Sequence, residues 1–270
     1  MNEVNKTLYI PLYGKALVSR RGIILHDPKA EEIWDKEAFP LRGKARSKWL
    51  ALYIGMRSAV FDRWLQKKID SHPDAMILHI GCGMDSRSLR IGKKQSVWFD
   101  IDFPDVIEQR KLHYKESESY RMLGADVRQP QWLDQLPCKQ EAIVIMEGIS
   151  MYLEREELLA LLSSVCSRFR NVSLLMDCYT EFAAKASKFK NPINEVGVTT
   201  VYGIDDPLVI EKSGLTFLSE LSLTPQYLID QLHGAEKIVF QHLYAGKLAN
   251  KLYRLYEFES NNRNFKKEET

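Results

Sequence analysis

The chain has 270 residues, 45% of them hydrophobic and 27% charged, an ordinary globular balance that allows one large α/β domain or two small ones. Lys plus Arg number 38 and Asp plus Glu 36, a formal charge of +2, so there is no electrostatic case for nucleic-acid binding. No apolar run is long enough to span a bilayer, and residues 1–10 lack the charged-then-apolar order of a signal peptide.

Residues 1–74 read as helical and amphipathic, with a basic cluster at Lys15, Arg20 and Arg21. Asp27-Pro28 fits a helix start, with proline at the first helical position. Over 49–69, Leu52, Met56, Val60, Trp64 and Leu65 recur at spacings of three or four, which predicts a helix whose charged residues of interest are Arg57 and Asp62. A single Arg on such a helix is more often a solvated or snorkelling side chain than a ligand. After the turn at His72-Pro73-Asp74, strands are predicted at 75–80, 96–103, 120–127, 141–147 and 172–178. Helices at 105–114 and 154–169 and a helical turn at 132–136 alternate with them. The pattern becomes irregular beyond residue 180, and 185–206 suggests a loop or lid. A strand at 215–223, helical stretches from 225 and over 235–248, and a last alternating strand at 252–258 follow. The polar tail 260–270 has a disordered composition.

That alternation predicts a doubly wound parallel sheet, whose ligand lies at the carboxyl ends of the strands. The first strand runs into Gly81-Cys82-Gly83, and the second ends on Asp100 and Asp102. Glycines there let backbone approach a nucleotide, and a carboxylate at the next strand tip can accept from ribose hydroxyls; the pattern does not choose between Asp100 and Asp102. A dinucleotide fingerprint wants Gly or Ala where Ser86 stands, and Asp85 would repel a pyrophosphate. S-adenosylmethionine (SAM) has no phosphate and carries a sulfonium cation, so an acidic rim with Asp126 and Glu147 at further strand ends suits it better. Each acid could instead cap the helix that follows, the better reading for Asp85. The four cysteines, Cys82, Cys138, Cys166 and Cys178, form no Cys-x-x-Cys pair and read as reduced thiols of a cytoplasmic protein. Cys82, without a base, reads as packing. The six histidines have no metal-ligand spacing, and no metal site is expected.

Seven segments in order carry a family resemblance: Leu12-Tyr-Gly-Lys-Ala-Leu-Val-Ser-Arg-Arg21, Asp27-Pro-Lys-Ala30, Met56-Arg-Ser-Ala-Val-Phe-Asp62, Gly81-Cys-Gly-Met-Asp-Ser-Arg87, Asp100-Ile-Asp-Phe-Pro104, Glu147-Gly-Ile-Ser-Met-Tyr-Leu153 and Tyr202-Gly-Ile-Asp-Asp-Pro207. In these the chain resembles the bacterial, polyketide-biosynthesis (tetracenomycin-type) branch of the leucine carboxyl methyltransferase family, which are SAM-dependent O-methyltransferases. The resemblance implies a seven-stranded class I methyltransferase sheet, its last strand antiparallel. It also implies an N-terminal helical cap over the active site; with the irregular pattern after residue 180, the expected division is a cap over 1–74 and a SAM-binding domain over 75–259 with a lid insertion at 180–214. It implies that Arg57 pairs with the methionyl carboxylate, that Gly81 and Gly83 approach the cofactor, and that Asp102 holds the ribose. Asp126 and Val127 would flank the adenine, with Glu147 near the methionyl amine and transferred methyl. Asp100 stands where better-known relatives carry Glu, and Ser86 and Ser88 replace bulkier or threonine-like neighbours of the glycine loop.

The activity expected is methyl transfer from SAM, leaving S-adenosylhomocysteine (SAH), to an oxygen of a small-molecule acceptor. A carboxylate acceptor, with a solution pKa near ~4, is already ionised and needs no general base, whereas a phenol near ~10 does. Arg20, Arg21, Arg46 and Lys48 are candidates to orient an acidic acceptor, with Glu147 and Tyr152 as further positioning candidates. The competing readings are an NAD-dependent oxidoreductase and a non-catalytic SAM-binding protein.

Overall fold

The computed structural model describes residues 8–91, 96–190 and 200–261. Its strands are β1 (Met76–Ile80), β2 (Trp98–Asp102), β3 (Tyr120–Gly124), β4 (Glu141–Met146), β5 (Asn171–Tyr179), β6 (Thr216–Leu221) and β7 (Tyr253–Asn261). They form one seven-stranded sheet in the order β3-β2-β1-β4-β5-β7-β6. β1 to β5 pair in parallel, and β7 runs antiparallel to both β5 and β6. This is the expected doubly wound sheet with its last strand reversed.

The central strands are covered on both faces, so they read as near-continuous apolar runs. Side chains still alternate between two cores. Met76, Leu78 and Ile80 of β1 join Val144, Met146, Leu174 and Met176 under helix α6 (Arg155–Arg168). Ile77, Ile143, Ile145 and Leu175 face the other way, against Leu52, Met56, Phe61 and Leu65 of the long helix α3 (Lys48–Ser71). The sheet thus shares its core with α3, while α1 (Tyr9–Arg20) packs on α3 and on α2 (Pro28–Glu37). Asp27 starts α2 as expected, its carboxylate accepting from the Ala30 N–H at 2.9 Å.

The same parity places the polar residues. His79, Asp100, Asp102, Glu147 and Asp177 fall in the strand phase of Ile77, Ile145 and Leu175, on the α3 side of the sheet, and His79 is in register with Asp100. The acids therefore converge under α3 rather than scattering around the rim.

Several element boundaries differ from expectation. β3 stops at Gly124, and Asp126 and Val127 lie after it, where a turn is closed by the Gln129 N–H donating to the Asp126 carbonyl and the Arg128 N–H to the Asp126 carboxylate. The helical stretch expected from 225 is the short α8 (Gln226–Ile229), and that expected over 235–248 is divided into α9 (Gly234–Leu243) and α10 (Lys247–Asn250), with Gly246 at φ 58° between them. Residues 185–190 belong to helix α7 (Glu181–Lys190) rather than to a loop, while 191–199 lie outside the described residues. β7 extends through residues 260 and 261, leaving 262–270 of the expected tail outside them. No helix among the described residues is long and apolar enough to cross a membrane.

Candidate active site

A cavity of about 1150 Å³ opens where β1, β2 and β4 end, beneath α1 and α3. Gly81 and Gly83 form part of its wall, with φ of 71° and 49°. These values favour glycine, and a Cβ at Gly81 would stand 2.7 Å from the Ile149 side chain. The loop is pinned from behind by the N–H groups of Gly81 and Cys82, which donate to the Ile101 carbonyl.

The two acids of β2 part company here. Asp100 is fully buried and accepts from the Tyr120 hydroxyl (2.6 Å), the Trp98 indole (2.8 Å) and Arg110, with His79 at 3.1 Å. Burial would raise its carboxyl, but the Arg110 guanidinium and His79 bring it down to about 2. Arg110 also donates to the carbonyls of Gly83 (2.9 Å) and Asp85 (2.6 Å), so Asp100 anchors the glycine loop. Asp102 is half-buried on the cavity wall and accepts from the N–H groups of Gly83 and Phe103, each at 2.8 Å. Burial outweighs those bonds and keeps its carboxyl above the ordinary value. Of this pair only Asp102 lines the cavity.

Beneath α3 lies a buried lattice of ion pairs. Arg57 donates to Asp177 at 2.6 Å and Glu147 at 3.2 Å. Lys15, of α1, is 2.7 Å from Asp85 and 3.7 Å from Glu147. Within the short helix α4 (Arg87–Arg90), Arg87 reaches Asp62 (2.5 Å), Asp85 (3.1 Å) and Glu147, while Arg90 reaches Asp27 (2.5 Å), Asp62 (2.8 Å) and Asp85 (2.9 Å). Burial opposes ionisation of Glu147, but the charges of Lys15, Arg87 and Arg57 prevail and hold its carboxyl at about 2. Asp85 lies well below the usual range despite its burial, held there by Arg87, Lys15 and Arg90. Its carboxylate also accepts from the Arg87 N–H at 3.0 Å, the capping role expected, but it is equally the hub of this lattice.

A pH dependence follows. Glu147 and Asp100 have folded pKa values below their unfolded ones, so their contribution to stability is present above about pH 5 and lost as pH falls toward about 2. Asp102, with its pKa raised, works in the opposite direction. The urea midpoint is expected to be level between pH 7 and 5 and to fall steeply below; a level midpoint down to pH 3 contradicts the ionised lattice.

The structure brings Arg57, Gly81, Gly83, Asp102, Asp126, Val127, Glu147 and Tyr152 to this one cavity. Asp126 is half-buried there and paired with Arg128 at 2.6 Å. Arg46 and Lys48 are exposed and absent from its lining; Lys48 is 3.6 Å from Glu236 and the Arg46 guanidinium lies over the Tyr13 ring. Arg20 and Arg21 pair with Asp35 and Glu236. Local patterning cannot tell such surface basic residues from inward ones. Sequence reasoning did not single out Asp177 and Arg110, which read as strand and helix residues, and gave Lys15 no role. A carboxylate inside an apolar strand was the available signal for Asp177. Among the described residues no group of His, Cys, Asp and Glu has the arrangement of a metal site.

The sheet order, the glycine loop at the first strand end and the acid at the second define a class I, nucleotide-binding methyltransferase fold. The structure is similar to a candidate methyltransferase of Thermobifida fusca (TM-score 0.56, 10% identity, 82% of this chain and 90% of that one). It is also similar to magnesium protoporphyrin IX methyltransferase of Synechocystis PCC 6803, solved with bound SAH (TM-score 0.51, 13% identity, 87% and 100%). In sequence, the family described as leucine carboxyl methyltransferase matches residues 3–166. The chain is 31% identical over 244 residues to the tetracenomycin polyketide synthesis O-methyltransferase TcmP of Streptomyces glaucescens, across 88% of this chain and 90% of that protein. It is 27% identical over 183 residues to the SAM-dependent methyltransferase dpfgK of Gibberella zeae, across 62% of this chain and 61% of the relative. The chain belongs to the leucine carboxyl methyltransferase family, and family and fold together make it a SAM-dependent methyltransferase.

Proposed function

We propose that the protein is a cytoplasmic O-methyltransferase that converts the carboxylate of a small molecule into its methyl ester, with SAM as methyl donor. One observation carries the reading: a glycine loop and the acids Asp102, Asp126 and Glu147 share the wall of one cavity large enough for two ligands. In this reading Asp102 accepts from the ribose hydroxyls, Asp126 faces the adenine amino group beside Val127, and Gly81 and Gly83 admit the cofactor's backbone-facing edge. Arg57 and Lys15 would hold the methionyl carboxylate, and Glu147 its amine.

The donor supplies a methyl group on a positively charged sulfur. An acceptor oxygen forms the new O–CH3 bond as the S–CH3 bond breaks, its electron pair remaining on sulfur, so an anionic acceptor and a cationic donor become a neutral ester and a neutral thioether. The chain's part is alignment and exclusion of water. No proton need move when the acceptor is a carboxylate. Burial pushes the phenols of Tyr53 and Tyr253 up, and His79 is committed to Asp100. Neither these two phenols nor His79 is therefore placed to take a proton from a phenol acceptor.

Incubation with methyl-labelled SAM and a panel of aromatic and aliphatic carboxylic acids is expected to give SAH and a labelled methyl ester by mass spectrometry. Calorimetric binding of NADH but not SAH would reverse the reading, and SAH binding with no transfer to any acid or phenol would reduce the protein to a SAM binder.

A further inference from the structure

The mouth of the cavity combines two surface features. The first is apolar display. Four large apolar side chains of the lining also face water: Phe182 on α7 is 62% exposed, Leu243 at the end of α9 60%, and Leu248 on α10 and Leu252 after it 42% each. Single exposed apolar residues are ordinary, but several at one opening mark a surface that meets another apolar body. The second feature is charge. Over the whole chain Lys plus Arg and Asp plus Glu nearly balance, at 38 and 36. The rim segments 41–54 and 243–252 nevertheless hold no Asp or Glu, while Arg42, Lys44, Arg46, Lys48, Lys247 and Lys251 are all exposed there. Glu236 and Glu181, on the adjoining helices α9 and α7, are matched by Arg21 with Lys48 and by Lys185. The carboxylates of the lining itself, Asp85, Asp102, Asp126 and Glu147, lie at the strand ends, and none of them is exposed. The rim is therefore positive by composition, whatever contacts its individual side chains make.

We propose that this rim is a docking surface for an anionic bilayer. Phe182, Leu243, Leu248 and Leu252 enter the boundary between headgroups and acyl chains, and the basic side chains of 42–48 and 247–251 rest against lipid phosphates. Apolar burial and attraction to anionic lipid are the two contributions that hold a protein at a membrane surface without spanning it, and both come from the same opening here. The sign of the rim selects the partner, because a neutral apolar surface would leave its exposed cations unanswered. Its shape does so too. The apolar side chains stand on separate elements around a cavity that must stay open to exchange its contents, and a bilayer yields around them where a folded protein would seal the opening. The inference goes beyond the methyl-transfer reading and does not depend on it.

The test is co-sedimentation of the full chain, with neither SAM nor acceptor present, on extruded vesicles. At low salt the protein is expected to bind vesicles of equal parts phosphatidylcholine and phosphatidylglycerol at least about tenfold more tightly than phosphatidylcholine alone. Raising the salt to about 0.5 M should release it, since exposed charges are then screened. K247Q/K251Q should lose at least about fivefold on the mixed vesicles through charge, and F182S/L243S as much through apolar contact. All four positions are exposed, so both variants should keep the thermal midpoint of the parent. K67Q/K212Q removes the same charge from exposed positions outside the rim and is expected to stay within about twofold of the parent. The proposal is overturned if the protein sediments with neither vesicle, if it binds both equally, or if K67Q/K212Q loses as much as K247Q/K251Q. A concentration-dependent dimer in analytical ultracentrifugation that F182S/L243S dissolves would give the rim to a second copy of the chain and overturn it too. Failure of methyl transfer leaves the docking result standing, because the vesicle assay contains no reactants.

Discussion

Asp102→Ala is expected to weaken SAH binding by roughly 100-fold or more. A carboxylate accepting two ribose hydroxyls contributes two charge-assisted hydrogen bonds, each worth about 1.5–3 kcal/mol, and about 1.4 kcal/mol is a factor of ten in affinity. The substitution also strands the N–H groups of Gly83 and Phe103, both of which donate to Asp102 at 2.8 Å, so the glycine loop loses its tether in addition to the proposed ribose contact. Asp102→Asn keeps an acceptor for one of those N–H groups and should fall between the parent and the alanine variant. Asp100→Asn is the necessary contrast. Asp100 is buried among Arg110, Tyr120, Trp98 and His79 and does not line the cavity, so its loss should lower the unfolding midpoint first and SAH affinity only through it. Calorimetry with SAH, paired with urea unfolding, separates the two. An Asp102→Ala protein that binds SAH within about threefold of the parent would remove Asp102 from the ribose.

The second large effect is on stability. Arg87→Met is expected to lower the unfolding free energy by about 3–5 kcal/mol, the usual cost of removing one partner from a buried ion pair, out of a total of about 5–15 kcal/mol for a domain. Arg87 is fully buried and serves three carboxylates, on α3 (Asp62), after β1 (Asp85) and after β4 (Glu147), so one change weakens the compensation of charge on three elements at once. Methionine fills much of the volume, which makes charge rather than a cavity the cause. The sign with pH distinguishes the two. With Arg87 gone, the Glu147 carboxyl rises toward its ordinary value, so the deficit relative to the parent should shrink as pH falls from 6 to 4 and the freed carboxylates protonate. A constant deficit would mean lost packing. No change in the midpoint would show that Lys15, Arg57 and Arg90 suffice without it.

Both predictions turn on the same contrast between what adjacent residues can and cannot say. Asp100 and Asp102 are two residues apart, share a strand face and have the same side chain. Their local sequence offers nothing to separate them, and only the family resemblance favoured Asp102. The separation comes from Arg110, eight to ten positions later on α5 (Pro104–Lys111), whose guanidinium turns back under the sheet to claim Asp100. Arg57 is the parallel case. Its spacing put it on α3, but helical periodicity is silent on whether an arginine snorkels to water or enters a core. Asp177, 120 positions away, made it a buried ion.

Periodicity, glycine placement and acids at strand ends were enough, by themselves, to determine the alternating α/β architecture, the strand that carries the glycine loop and the edge of the sheet where a ligand belongs. They act over a few residues, and hydrophobic alternation and backbone φ are local properties. The tertiary structure alone decided which acids face the cavity and which are neutralised behind it, that α3 is part of the sheet's own core, and that Lys44 and Lys251 rather than Arg46 and Lys48 stand on the cavity wall. Those outcomes depend on which charges meet after folding. Ion pairing in a buried lattice is set by distance through space, and a single chain order is compatible with many such pairings until packing selects one.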